Sequence, residues 1–128
     1  MKAAVYYETG APDVFRYEDV PDPVAGPGDI LIDVEAVSIE GGDTLNRLGG
    51  DLNNVPHIVG YQAAGTVVEV GADVQGFAVG DRAVTVGIDG SHAARRAVPA
   101  GFAWKIPDGV STDDAAAVPV PFGTADEC

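Results

Sequence analysis

Apolar positions along this chain recur with a period of two, in short runs separated by glycine and proline. The clearest run is Asp29–Ser38, where Ile30, Ile32, Val34 and Ala36 share one face while Asp33 and Glu35 occupy the other. That alternation predicts a half-buried strand. Further strands are predicted at residues 2–8, 15–20, 63–70, 81–86, 92–98 and 103–106. Strands at such regular spacing, with turn residues between them, predict an all-β barrel or sandwich. Gly65, inside a predicted strand, reads as a bulge or a close backbone approach. Gly71 is expected to supply a positive φ at a corner, Gly80-Asp81 to turn the chain into the next strand, and Val74 and Phe77 to cover the barrel end.

Helical signals are few. Residues 43–48 predict one short helix stopped by Gly49-Gly50, with Asp43 and Arg47 spaced for an (i, i+4) ion pair. Ser111-Thr112-Asp113-Asp114 places a hydroxyl cap and first-turn carboxylates ahead of Ala115-Ala116-Ala117, the pattern of a helix start. Pro119 and Pro121 are expected to break that helix. Phe122-Gly123-Thr124-Ala125-Asp126-Glu127-Cys128 then begins a new one without a closing cap, so the chain is expected to be cut within it. No repeat or linker-like run divides the chain, and one domain over residues 1–128 is expected.

Composition narrows the function classes. The 128 residues carry 20 acidic and 7 basic side chains, a net charge of -13. So few basic residues, with only Arg95 and Arg96 adjacent, cannot track a phosphate backbone, and nucleic acid is not an expected partner. The acidic excess fits either a high-salt organism or simple solubility. No run approaches the roughly 18 apolar residues of a membrane span, so no membrane partner is expected and a cytoplasmic location is the default. The single cysteine, Cys128, rules out an intramolecular disulfide and a cysteine-rich zinc lobe.

The most informative stretch is Ile58-Val59-Gly60-Tyr61-Gln62-Ala63-Ala64-Gly65-Thr66-Val67-Val68-Glu69-Val70-Gly71, continuing through Val74 and Gln75-Gly76-Phe77 to Gly80-Asp81-Arg82-Ala83-Val84. It resembles the signature of the medium-chain dehydrogenase/reductase superfamily, specifically its quinone oxidoreductase branch. Met1-Lys2-Ala3, Pro27-Gly28-Asp29-Ile30-Leu31-Ile32, Gly90-Ser91-His92-Ala93, Val98-Pro99-Ala100 and Ile106-Pro107-Asp108-Gly109-Val110 fall in family order. The resemblance implies a mainly β, GroES-like catalytic domain: a partly open β-barrel with a few short helices, followed in relatives by a helix leading to a Rossmann domain. No Gly-x-Gly-x-x-Gly lies between a strand and a helix in these residues, so the dinucleotide site is expected outside them and the isolated chain is expected to be inactive.

Zinc-dependent relatives offer a cysteine after the long strand, and a histidine followed by glutamate before the Ala-Ala-Gly strand. The matching places here hold Glu40 and Tyr61-Gln62. A catalytic zinc takes about three protein ligands, and a phenol and an amide are poor ones, so no zinc is expected. What the resemblance then implies is a zinc-independent, NADPH-dependent reductase of quinones or conjugated carbonyls. In this reading Tyr61 donates a hydrogen bond to the acceptor oxygen, Asp43 orders the loop at the cleft floor, Glu40 stands at the former metal position, and Thr124 contacts the nicotinamide of NADPH. Tyr61 as an interdomain packing residue and Thr124 as a helix-start hydroxyl are alternatives. His57 and His92, the latter at a place where relatives carry an aromatic residue, are expected to be structural or solvent-facing. The loop Glu40-Gly41-Gly42-Asp43-Thr44-Leu45 lacks the asparagine and tyrosine of many quinone reductases. Nothing in the pattern accounts for Arg95 and Arg96.

Two rival functions are a zinc alcohol dehydrogenase using Glu40 as a ligand and a non-catalytic co-chaperonin-like module sharing the barrel. An exposed apolar patch around Tyr61 and Phe122 is expected, with homo-oligomerisation as its consequence.

Overall fold

The computed structural model describes residues 1–128. Eight strands and three short helices follow one another: β1 (Lys2–Tyr6), β2 (Arg16–Asp19), β3 (Asp29–Ser38), α1 (Gly41–Gly49), β4 (His57–Ile58), β5 (Gln62–Val70), β6 (Arg82–Val86), β7 (Arg95–Pro99), β8 (Ala103–Lys105), α2 (Thr112–Ala116) and α3 (Pro119–Asp126). They form a three-stranded sheet, β2-β1-β4, and a curled five-stranded sheet, β7-β3-β5-β6-β8. All the ladders are antiparallel. The amide of Ala4 donates to His92 O and that of Ala94 to Lys2 O, which ties β1 to the segment preceding β7 and joins the sheets. The result is a mainly β half-barrel of the GroES-like kind.

The period of two assigns alternate residues of the large sheet to two cores. Ile30, Ile32, Ala63, Val67, Ala83, Val98 and Ala103 fill one face, closed by Val74 and Phe77 as their spacing predicts. Ala64 and Val84 point the other way, onto Ile106 and onto Ala115 and Ala116 of α2. The sheet is therefore covered on both faces near its middle, and Leu31 is buried as well. β3 is buried on both faces at Ile30–Ile32 and half-buried beyond; Ile30, Ile32 and Val34 share one core, but the register shift between Val34 and Ala36 turns Ala36 onto the α2 core, so the four do not share one face as expected.

Two glycines of the signature act by close approach. A Cβ at Gly65 would stand 1.9 Å from Asp33 O, beside the register shift of the β3–β5 ladder. One at Gly71 would lie 2.3 Å from the carbonyl oxygens of Gly26 and Pro27. Gly71 is not among the positive-φ glycines, so the expectation of a left-handed corner there is wrong; Gly80 does adopt one, at φ 93°. The prolines after α2 also differ from expectation. Pro119 and Pro121 lie in the first turn of α3, where a missing N–H costs nothing because that amide has no intrahelical partner.

Candidate active site

The first turn of α1 is the centre of the site. β3 ends at Ser38, and Glu40 becomes the N-cap of α1, with its backbone amide donating to Asp43 Oδ2 at 2.9 Å. The Glu40 carboxylate also accepts from Ser38 Oγ at 2.8 Å and, through the same Oε1, from Gln62 Nε2 at 2.5 Å. Gln62 is fully buried at the start of β5, and its Oε1 accepts from the Val120 amide at 2.9 Å. One chain of hydrogen bonds thus runs from the end of β3 through the cap of α1 and the start of β5 to the first turn of α3.

Tyr61 lies against this network. A Cβ on Gly42 would meet Tyr61 Cε2 at 2.4 Å and its hydroxyl at 2.6 Å, so only glycine lets the ring lie on the first turn of α1. Tyr61 and the other face of α1, through Gly42, Leu45, Asn46 and Gly49, line an open groove of about 450 Å³. That volume is within the range of ligand pockets, about 300 to 1,000 Å³. A larger apolar groove, about 620 Å³, runs past Trp104, Ile106, Val118 and Pro119 between the sheet and α2–α3, away from Tyr61.

Of the residues singled out in the sequence, Glu40, Asp43 and Tyr61 come together around α1. Thr124 does not; it is exposed on α3, as is Phe122, at 67% of its surface. The Asp43–Arg47 ion pair does not form. Arg47 Nη1 donates instead to Gly10 O at 2.6 Å, because Asp43 is turned inward to the cap and only 3% exposed. The histidines are not solvent-facing either. His57 is buried against the Tyr6 ring, and the His92 side chain keeps 12% of its surface with Nε2 3.8 Å from Asp43 Oδ2. Burial pushes both imidazoles below the ordinary histidine range, opposed for His57 by Asp89 and for His92 by Asp43.

Sequence reasoning missed what the two arginines do. Arg95 pairs with Asp33 at 2.8 Å and Asp22 at 2.9 Å on the outer side of β7. Arg96 points inward and is 4% exposed, donating to Tyr61 O at 3.0 Å, Thr85 Oγ1 at 3.2 Å and Asp89 O at 2.6 Å. Burial lowers its pKa to about 10. It fixes the backbone of Tyr61 to the loop that follows β6. The only signal was alternation itself: in a strand, one of two adjacent arginines must face inward.

Purely antiparallel ladders give no βαβ unit. The N-terminus of α3 has proline at two of its first three positions and its Val120 amide already taken, so it offers no cradle for a pyrophosphate. No three His, Cys, Asp or Glu side chains converge in a group able to hold a metal ion.

Residues 26–108 match the family model of the alcohol dehydrogenase GroES-like domain. A dehydrogenase of Emericella nidulans, orsE, is 38% identical over 110 residues, covering 79% of this chain and 32% of its own length. A 2-haloacrylate reductase of Burkholderia sp is 34% identical over 119 residues, covering 89% of this chain and 36% of the relative. The quinone oxidoreductase of Escherichia coli, solved in complex with NADPH, superposes with a TM-score of 0.87 at 26% identity, covering 91% of this chain and 36% of that one. The chain thus spans about a third of the length of the curated relatives it matches. Shared sequence across the signature and shared architecture across nearly all strands place the chain in the alcohol dehydrogenase GroES-like domain family, within the medium-chain dehydrogenase/reductase superfamily.

Proposed function

We propose that this chain forms the acceptor-side domain of a zinc-independent, NADPH-linked reductase of quinones or conjugated carbonyls. The observation that carries this reading is the closed hydrogen-bond network at Glu40. At the place where zinc-dependent relatives gather ligands, the carboxylate is engaged by Ser38 and Gln62, and Gln62 is engaged by Glu40 and Val120. A metal there would have to displace these partly buried hydrogen bonds and accept an amide and a phenol as ligands. Such a donor set does not fit zinc.

The chemistry left to these residues is orientation and hydrogen bonding. Reduction of a conjugated carbonyl builds negative charge on its oxygen, and a donor aimed at that oxygen stabilises it. Tyr61, with its ring laid on Gly42 and its carbonyl held by Arg96, presents a phenol at the groove over α1. Asp43 serves as a positioning residue by capping α1, and Glu40 by holding Gln62 in register with α3. Thr124, exposed on α3, is the residue of this chain that would face the coenzyme. NADPH itself would be gripped outside residues 1–128, so the chain alone should not oxidise NADPH.

A titration of the ¹⁵N-labelled chain with tetramethyl-1,4-benzoquinone, which lacks free ring positions for addition, tests the acceptor site. Saturable shifts are expected at the Gly42, Gly49 and Gly50 amides, and Tyr61→Phe should weaken binding about fivefold, the value of one hydrogen bond. Absence of saturable shifts around the groove, or unchanged affinity in Tyr61→Phe, would overturn the assignment.

A further inference from the structure

Arg96 is a charged side chain at 4% exposure that takes part in none of the chain's ion pairs. Its hydrogen bonds go to neutral oxygens, on Tyr61, Thr85 and Asp89. A buried cation without a hydrogen-bonded carboxylate is a poor stabilising device, because no counterion offsets its desolvation. Burial pulls its pKa down to about 10, against the opposing charges of Asp89 and Asp43. An apolar side chain of similar length would fill the place at little cost. The Tyr61 carbonyl would keep a second donor, the Gly87 amide at 2.8 Å, and the Thr85 hydroxyl would keep Ala63 O at 3.1 Å.

What the guanidinium adds is geometric. Its planar fork puts Nη1 on Tyr61 O and Nη2 on Asp89 O, so a rigid group spans from Tyr61 to the loop after β6. The surroundings make room for it: a Cβ on Gly87 would stand 2.6 Å from Nη2. The backbone before Tyr61 is bonded to the continuation of the same loop, with Ile58 O accepting from Gly90 N and Gly60 O from Ser91 N. The Tyr61 ring in turn lies on Gly42 with clearance for hydrogen alone, so a small shift of its backbone moves the hydroxyl against the first turn of α1. The geometry points to Arg96 as a positioning residue for the acceptor groove: its fork transmits the position of loop 87–89 to Tyr61 and thereby sets how well the phenol meets an acceptor oxygen. Arg96 does not line the groove and acts through Tyr61. Hydrogen-bond strength falls steeply with misalignment, which is why placement of the phenol matters. This role rests on the reading of Tyr61 as the donor to the acceptor.

The test is a double-mutant cycle on the binding of tetramethyl-1,4-benzoquinone, followed by ¹⁵N shifts of the 128-residue chain. Arg96→Met should weaken binding about threefold when Tyr61 is present and leave it unchanged in Tyr61→Phe, because the lost affinity is part of the phenol's hydrogen bond. Gly87→Ala should give the same pattern. It keeps the charge and displaces only the end of the Arg96 side chain, and Gly87 is not among the positive-φ glycines, so it decides the matter if Arg96→Met fails to fold. In the free chain both variants should weaken the nuclear Overhauser contact between the Tyr61 ring and the Gly42 α protons, which a purely stabilising role would leave intact. Equal losses with and without the Tyr61 hydroxyl, or no loss at all, would overturn the role of Arg96. If Tyr61→Phe alone still binds about fivefold more weakly, the acceptor reading survives that result; if it does not, both fall.

Discussion

The two sides of the α1 N-terminus use similar residue types to opposite ends. On one side, Glu40 and Gln62 satisfy each other and the neighbouring backbone, so the network is closed. On the other, Asp43 satisfies the cap with one oxygen and leaves the second, like His92 Nε2, buried without a partner. Where every atom is paired, removal costs stability. Where atoms are unpaired, removal costs little.

The largest effect should come from breaking the closed side. Gln62→Leu removes the donor to Glu40 and leaves the Val120 amide without an acceptor, which should cost about 3 kcal/mol and lower Tm by roughly 10 °C. Thermal unfolding followed by circular dichroism reads this directly; a fall no greater than that of a surface substitution would break the contrast. On the open side, His92→Phe removes an unpaired nitrogen and should change stability by less than about 1 kcal/mol.

A smaller effect lies in pH. Burial holds His57 and His92 below the ordinary value of 6.5, so on acidification the unfolded chain takes up protons before the folded one. Stability should therefore rise with pH through this window, and Tm should fall by a few degrees from pH 7 to pH 5. His92→Phe should make that slope shallower. The carboxylates of Asp19, Asp22 and Asp81, held below 3.8 by Lys2, the N-terminal amine and Lys105 respectively, contribute their own loss only at lower pH. A Tm that is flat or rises between pH 7 and pH 5 would contradict the burial of both rings.

Much of the fold was legible because its signals are local. The bounds of β3 follow from its alternating run, though not the face of Ala36, and the Ser111 cap of α2 is made as its sequence suggests, with Ser111 Oγ accepting from the Asp114 amide. Non-local features were not legible. β4 has only two residues and exists through its pairing with β1. Pro119 reads equally as a breaker or a first-turn residue until Gln62 fixes the Val120 amide. Asp43 and His92 lie far apart in the chain and meet only in the tertiary fold, with His92 Nε2 3.8 Å from Asp43 Oδ2. The inward turn of Arg96 depends on the β3–β7 register, which pairs it with Ile32.

The central claim is that the Glu40–Gln62 network replaces a metal. Zinc analysis of the chain, purified without chelators and then titrated with Zn²⁺ by calorimetry, tests it most directly. The account predicts substoichiometric zinc and no saturable heat that depends on Glu40. One tightly held zinc per chain, lost in Glu40→Ala, would contradict it.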